Sequence, residues 1–235
     1  AFEDVVELDA SIGRHGADWV AVFAEVESLR KPQADAIADM ALENYVEKLG
    51  ETIDYDTYFK KNIYHIPFGG ITINAHRTAL RVFGSVTKSA AREHWEKKTQ
   101  ESLRYPGRMG GTYGSSTFIA MLSLLDHADD LGPGDRISVF SYGSGSCAEF
   151  YSGIIGEEAK QAAKEADLKA LLDARYELSV REYEECERER SCYIDCGDFR
   201  PSRDGMNGWY DEAYAGKHQL VFEGAEEHFR RYAWS

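Results

Sequence analysis

Basic residues are in deficit: 27 lysines and arginines stand against 41 acidic residues, and the 235-residue chain carries a formal charge of −14. A field of that sign repels phosphate backbones and anionic membrane surfaces, so neither nucleic acid nor a membrane is expected as a partner, and an anionic substrate needs a local basic patch. Long apolar runs are missing too. The longest uncharged stretch, Met109 to Leu125, is shorter than the roughly 20 residues of a membrane span and contains Thr112, Ser115, Ser116 and Thr117. With only four cysteines and no Cys-x-x-Cys spacing, neither a disulfide scaffold nor a metal site is expected, and a reducing cytoplasm is the default compartment. The opening Ala1-Phe2-Glu3-Asp4 has no initiator Met, basic region or apolar stretch, so no signal peptide is expected and the chain reads as a fragment or a processed half.

What is present suffices for a core: 43% of residues are hydrophobic, and no repeat or low-complexity linker divides residues 1–235, which read as a single domain. Trp19-Val20-Ala21-Val22-Phe23 is predicted as a strand. Ile37, Met40, Ala41, Tyr45 and Val46 recur at helical spacing between Gln33 and Leu49, and Gly50 stands where that helix would stop. Asn62 to Pro67 reads as a strand, and Ile71 to Gln100 as a long, charged, mostly exposed helical region broken at Gly84. Behind Gly110-Gly111-Thr112-Tyr113-Gly114-Ser115-Ser116, a helix is predicted whose core face is Phe118, Met121, Leu122 and Leu125; its glycine-rich start would let an oxyanion reach free N–H groups. Residues 156–190 read as one or two solvated helices, and His218 to Phe222 as a terminal strand.

The segment most suggestive of a site is Phe140-Ser141-Tyr142-Gly143-Ser144-Gly145. The run Ile137 to Phe140 is a buried strand, Cys147 to Ser152 its antiparallel partner, and the glycines between them leave backbone N–H groups uncrowded. An ordinary Gly-rich hairpin is the plain alternative. Cys147 lies in a strand without a neighbouring His, so packing is expected of it rather than nucleophilic chemistry. Cys186, Cys192 and Cys196 read as surface or half-buried thiols. His65 ends its strand, at the kind of edge where ligands bind in open α/β sheets.

Taken in order, His65-Ile66-Pro67-Phe68, the Gly110-Gly111-x-Tyr113 helix start, the Phe140–Gly145 hairpin, and Leu220-Val221-Phe222 with Arg230-Arg231-x-Ala233 resemble the C-terminal half of 3-hydroxy-3-methylglutaryl-CoA (HMG-CoA) synthases, a branch of the thiolase superfamily. The resemblance is densest from about Tyr55 to Tyr151 and from Lys217 to Tyr232. His65-x-Pro67-Phe68-Gly69-Gly70 followed by Ala75-His76-Arg77 looks most like the polyketide β-branching synthases, which act on groups carried by acyl carrier proteins.

The resemblance implies a layered α/β half-fold, a mixed sheet with covering helices, and an aldol-type condensation. An acetyl group held as a cysteine thioester loses a methyl proton and adds to the β-ketone of a second thioester; hydrolysis follows. It implies that His65 hydrogen-bonds the acceptor's oxygen, that the Ser144 backbone N–H helps hold the acetyl oxyanion, and that Pro67, Phe68, Gly110, Gly111, Tyr142 and Gly143 line the substrate. The nucleophilic cysteine and catalytic glutamate belong to an N-terminal half, here a partner chain or a missing segment. Two departures stand out. Gly111 replaces the family asparagine that assists acceptor binding, and Gly70 replaces the lysine that meets CoA phosphates. The second favours a phosphopantetheine arm on a carrier protein over free CoA, with Arg77 and Arg81, four apart on one helix face, meeting its phosphate. No permanently bound cofactor and no metal are expected, and a dimer is. A non-catalytic partner subunit completing a heteromeric complex is the second reading, favoured by Gly111; a ketoacyl synthase half doing Claisen chemistry is a third.

Overall fold

The computed structural model describes residues 2–50, 53–83, 87–143, 147–201 and 209–235. They divide into two compact units, Ala1–Lys169 and Ala170–Ser235.

The first unit opens with α1 (Phe2–His15) and α2 (Trp19–Leu49). The strand expected at Trp19 to Phe23 is the first turn of α2. Asp18 caps it by accepting from Ala21 N at 3.1 Å, Val22 alone of the five is buried, and Trp19 stacks on Phe23 at 5.9 Å, the i,i+4 pairing of a helix. Ser11 and Glu25 tie the two helices together at 2.6 Å. The predicted stop holds: Gly50 takes the left-handed conformation, φ 70°, and its N–H returns to Val46 and Glu47.

A short helix α3 (Tyr55–Tyr58) leads into β1 (Lys61–Tyr64), α4 (Gly69–Phe83) and α5 (Lys88–Thr99). Residue 84, the expected break, lies outside the described residues. Contrary to the mostly exposed region predicted, α4 buries Thr72, His76, Ala79 and Leu80. This one stripe at helical spacing mixes polar and apolar residues, and its polar members find partners inside. After a 3-10 turn (Gln100–Leu103) and α6 (Pro106–Met109), a second 3-10 turn (Tyr113–Ser115) delivers the chain to α7 (Ser116–His127). Two strands, β2 (Arg136–Gly143) and β3 (Cys147–Ile154), and helix α8 (Ala159–Ala166) complete the unit.

The sheet is mixed, as expected: β1 pairs parallel to β2, Tyr64 opposite Phe140, and β2 pairs antiparallel to β3, Gly143 opposite Cys147. Alternation along the strands sends side chains into two cores. Tyr64, Phe140 and Phe150 pack with Tyr55, Phe59, Ala79 and Leu80, and with Tyr45 and Val46 of α2. On the other face Ile63, Ile137 and Val139 meet Ala120 and Leu124 of α7. The expected core face of α7 is therefore rotated. Met121 and Leu125 are only partly buried and Phe118 is 63% exposed, while Ser116, Thr117, Ala120, Ser123 and Leu124 are buried. Small hydroxyl residues can sit there because the backbone satisfies them: Ser123 Oγ donates to Glu101 O at 2.6 Å and accepts from Tyr105 N at 3.2 Å.

In the second unit, α9 (Leu168–Asp173) runs in from the first and α10 (Val180–Cys192) starts on a capping box of Ser179 and Glu182. Further on, α11 (Trp209–Ala213) precedes an antiparallel hairpin of β4 (Leu220–Glu226) and β5 (Phe229–Trp234). The terminal strand is thus found, two residues later than predicted, with a partner that the sequence reading missed. Gly224 sits at the register shift with φ +143°, where a Cβ would come 2.2 Å from Phe199 O. That close approach lets Phe199 and Ala225 exchange backbone bonds at 3.0 and 2.9 Å. An open cavity of about 630 Å³ lies in this unit, walled by Tyr193, Phe199, Phe222 and Tyr232.

Candidate active site

His65 follows the last residue of β1, and its N–H donates to Phe140 O at 2.8 Å, extending the parallel ladder by one residue. Its ring turns to the α7 side, where Nδ1 lies 2.9 Å from Ser116 Oγ; the same oxygen accepts from Ile66 N at 3.1 Å. Ser116 is 1% exposed at the first position of α7. Burial holds the imidazole pKa below its ordinary value, which keeps the ring neutral at neutral pH.

Two glycines follow α6 on the segment that approaches Pro67. Gly110 ends α6 with φ 80°, and a Cβ on Gly111 would lie 3.5 Å from Pro67 O. Both Phe68 (64% exposed) and Tyr113 (90% exposed) are apolar surface on the segments that carry Pro67 and Gly111. The structure therefore brings together His65, Pro67, Gly111 and Ser116. It does not bring Tyr142 to them: that residue packs with the Tyr64–Phe140 core, on the opposite face of the sheet from α7. The strand expected to end at Phe140 runs on to Gly143, so Tyr142 and Gly143 are the end of β2 and not loop; Ser144 lies outside the described residues. Arg77 is half-buried on α4, with Nη1 donating to Asn74 at 3.3 Å and Nε buried without a partner among the described residues; Arg81 is exposed one turn on. Cys147 is exposed rather than packed, which corrects the expectation for it. The other thiols are as expected: Cys186 is half-buried, and Cys192 and Cys196 are exposed. Among the described residues no group of His, Cys, Asp or Glu is placed to hold a metal ion, and no helix is long and apolar enough to cross a membrane.

Two features escaped the sequence reading. One is Ser116, whose position at a helix start looks like any cap. The other is a buried hydrogen-bond chain beneath the site. Tyr55 OH lies 3.1 Å from Tyr64 OH, Tyr64 OH 2.7 Å from His76 Nδ1, His76 Nε2 2.7 Å from His94 Nδ1, and His94 Nε2 2.9 Å from Asp56 Oδ1. Burial is the main cause of the His76 pKa falling to about 3 and of the Tyr55 pKa rising to about 12. The Lys98 ammonium bonded to Asp56 is the main cause of that carboxyl being held below its ordinary range. Tyrosines closely spaced before His65, and a His on the buried stripe of α4, were the available signal.

The arrangement holds a neutral imidazole at the end of β1, anchored to the first turn of α7 through its ring and to β2 through its backbone. Residues 67–232 match the family described as "Hydroxymethylglutaryl-coenzyme A synthase C terminal". The chain is 34% identical over 173 residues to the polyketide biosynthesis 3-hydroxy-3-methylglutaryl-ACP synthase PksG of Bacillus subtilis (strain 168), covering 68% of this chain and 41% of PksG. The crystal structure of the curacin biosynthetic pathway HMG synthase in complex with holo donor-ACP superposes with a TM-score of 0.80 at 29% identity, over 89% of this chain and 51% of that one. A 62-residue stretch is also 52% identical to kynurenine 3-monooxygenase of Myxococcus xanthus (strain DK1622), covering 26% of this chain and 13% of that protein; residues 1–66 fall outside the family match. The chain spans about half the length of the synthases it matches. With this fold, a thiolase-like HMG synthase fold, and this match over most of its length, the chain belongs to the C-terminal family of hydroxymethylglutaryl-CoA synthases.

Proposed function

We propose that this chain is the acceptor-handling half of an HMG synthase that adds an acetyl-derived carbanion to a β-ketoacyl thioester, with both acyl groups delivered on the phosphopantetheine arms of acyl carrier proteins in polyketide β-branching. The observation that carries the reading is the placement of His65. It is neutral, anchored at ring and backbone, and two residues before Pro67, whose carbonyl lies 3.5 Å from a Cβ placed on Gly111. A fixed donor at the acceptor oxygen stabilises the alkoxide that forms as the new carbon–carbon bond is made. The backbone N–H of Ser144 serves the acetyl oxyanion. A second half, on a partner chain or a further segment, supplies the cysteine that carries the acetyl group and the glutamate that moves the proton. Carrier-bound substrate is favoured by Gly69 and Gly70 after Phe68, by Arg77 and Arg81 on one face of α4, and by the donor-ACP bound to the structural relative. A single domain over residues 1–235, a dimeric assembly and residence in the cytoplasm belong to the same proposal.

The second reading, a non-catalytic subunit that completes a heteromeric complex, is favoured by Gly111, which has no side chain where the family carries an asparagine, close to the Pro67 carbonyl. Reconstitution separates the two. The chain alone takes up no covalent acetyl label; mixed with an N-terminal half bearing the cysteine and glutamate, it yields the β-branched product on the carrier. Stoichiometric acetylation of Cys147 in the isolated chain overturns the division of labour, and a mixture that acetylates without condensing supports the non-catalytic subunit.

A further inference from the structure

The hydroxyl of Ser116 sits between two groups with different obligations. The backbone N–H of Ile66, 3.1 Å away, can only donate to it. Nδ1 of His65, 2.9 Å away, can donate or accept. The side chain is 1% exposed and, among the described residues, these two are its hydrogen-bond partners. Were Nδ1 to carry the proton, the hydroxyl would accept twice and leave its own proton buried without an acceptor, an arrangement that proteins avoid. With Nδ1 bare, the Ile66 amide donates to the hydroxyl, the hydroxyl donates to Nδ1, and each group is satisfied. The remaining ring proton is then on Nε2. Rotation of the ring would break the Nδ1 contact to Ser116, which is fixed in the first turn of α7, while the His65 amide bond to Phe140 O at 2.8 Å holds the backbone that carries the ring.

We propose that Ser116 is a positioning residue that locks His65 as the Nε2–H tautomer, so that the site presents a fixed hydrogen-bond donor, and not a base, to an acceptor oxygen. This deepens the condensation reading and rests on it for the identity of the acceptor as a thioester or ketone carbonyl. The lock has two consequences. Imidazolium formation is opposed, since a proton on Nδ1 would again strand the hydroxyl proton, and this acts in the same direction as burial on the His65 pKa. Proton abstraction by Nε2 is also opposed, because it would require the ring to exchange its proton between nitrogens against the Ser116 donor. Proton removal is thereby left to a group other than His65.

The test needs no turnover. Long-range 1H–15N spectra of the 15N-labelled chain report each imidazole nitrogen as pyrrole-type or pyridine-type. The wild type should show His65 with pyrrole-type Nε2 in roughly tenfold excess or more, about the weight of one net hydrogen bond. Ser116→Ala should bring the two tautomers to comparable populations and raise the pH at which His65 titrates, and Ser116→Thr should restore both. The His76 signals, whose partners are Tyr64 and His94, serve as the control that the unit is still folded. A pyrrole-type Nδ1 in the wild type overturns the proposal without any variant, and so does a folded Ser116→Ala chain with unchanged tautomer and titration. If the tautomer is as stated but His65→Ala leaves condensation in the assembled enzyme unimpaired, the lock stands and the condensation reading falls.

Discussion

His76 Nε2 lies 2.7 Å from His94 Nδ1, with the two rings stacked 28° from parallel, and joins a core tyrosine to the carboxylate of Asp56. His76 is fully buried, and its pKa is pulled to about 3, chiefly by burial and then by the neighbouring His94 and Lys98. The unfolded chain takes up this proton near the ordinary histidine value and the folded chain does not. Stability from His76 is therefore complete above pH 6.5 and is lost as pH falls toward 3, with a slope of about 1.4 kcal/mol per pH unit. Asp56, whose pKa is also depressed, adds loss only below its ordinary value of 3.8. His76→Phe should remove this slope between pH 6 and 4 and cost about 1–3 kcal/mol at pH 7.5 through the stranded Tyr64 and His94 groups. Urea midpoints of wild type and variant, subtracted at each pH so that the −14 net charge cancels, should converge as pH falls. Parallel curves would contradict this account of His76.

Gly111 has no positive φ, and a Cβ there meets Pro67 O at an ordinary 3.5 Å. Gly111→Asn should fold with stability changed by less than about 1 kcal/mol. In the assembled enzyme it should lower the KM for the acceptor several-fold, by adding an amide next to His65. A raised KM with intact folding would mean that the opening needs the glycine for room.

Arg77 and Arg81 test the carrier. Charge reversal at both should raise the KM for carrier-bound acceptor by about 5–10-fold and leave free CoA thioesters less affected, and added salt should weaken the wild type in parallel. Equal effects on both substrates, or none on either, would remove these arginines from carrier recognition.

The sheet and its hairpin were legible because the apolar run Ile137 to Phe140, the turn at Gly134 and the alternation after Cys147 agree on one arrangement. The register of α7 was not legible. Its inward residues include Thr117, whose hydroxyl donates to Gly114 O three residues back, and Ser116 and Ser123, whose hydroxyls are satisfied by partners distant in sequence, while Phe118 faces out. Hydrophobic spacing cannot register a polar core. Trp19 to Phe23 misled for a related reason: five apolar residues fit a strand or a helix turn equally, and only the Asp18 cap decides. β5 was hidden by Arg230 and Arg231, which lie on a strand exposed along its whole length and pair with the buried Ala225 and Gly224. The place of His65 at the end of β1 was legible from the run Asn62 to Pro67. Its anchor was not, since Ser116 lies 51 residues away and its function depends on where the first turn of α7 meets the end of β1.

The central claim is that His65 serves the acceptor while another half carries the donor. The direct measurement is His65→Ala in the reconstituted enzyme, with acetyl transfer to the cysteine and condensation on the carrier timed separately. The account predicts acetyl transfer within about twofold of wild type and condensation slower by roughly 100-fold or more, the scale of losing a preorganised donor at a developing oxyanion. Equal losses in the two half-reactions would contradict it and make His65 a structural residue.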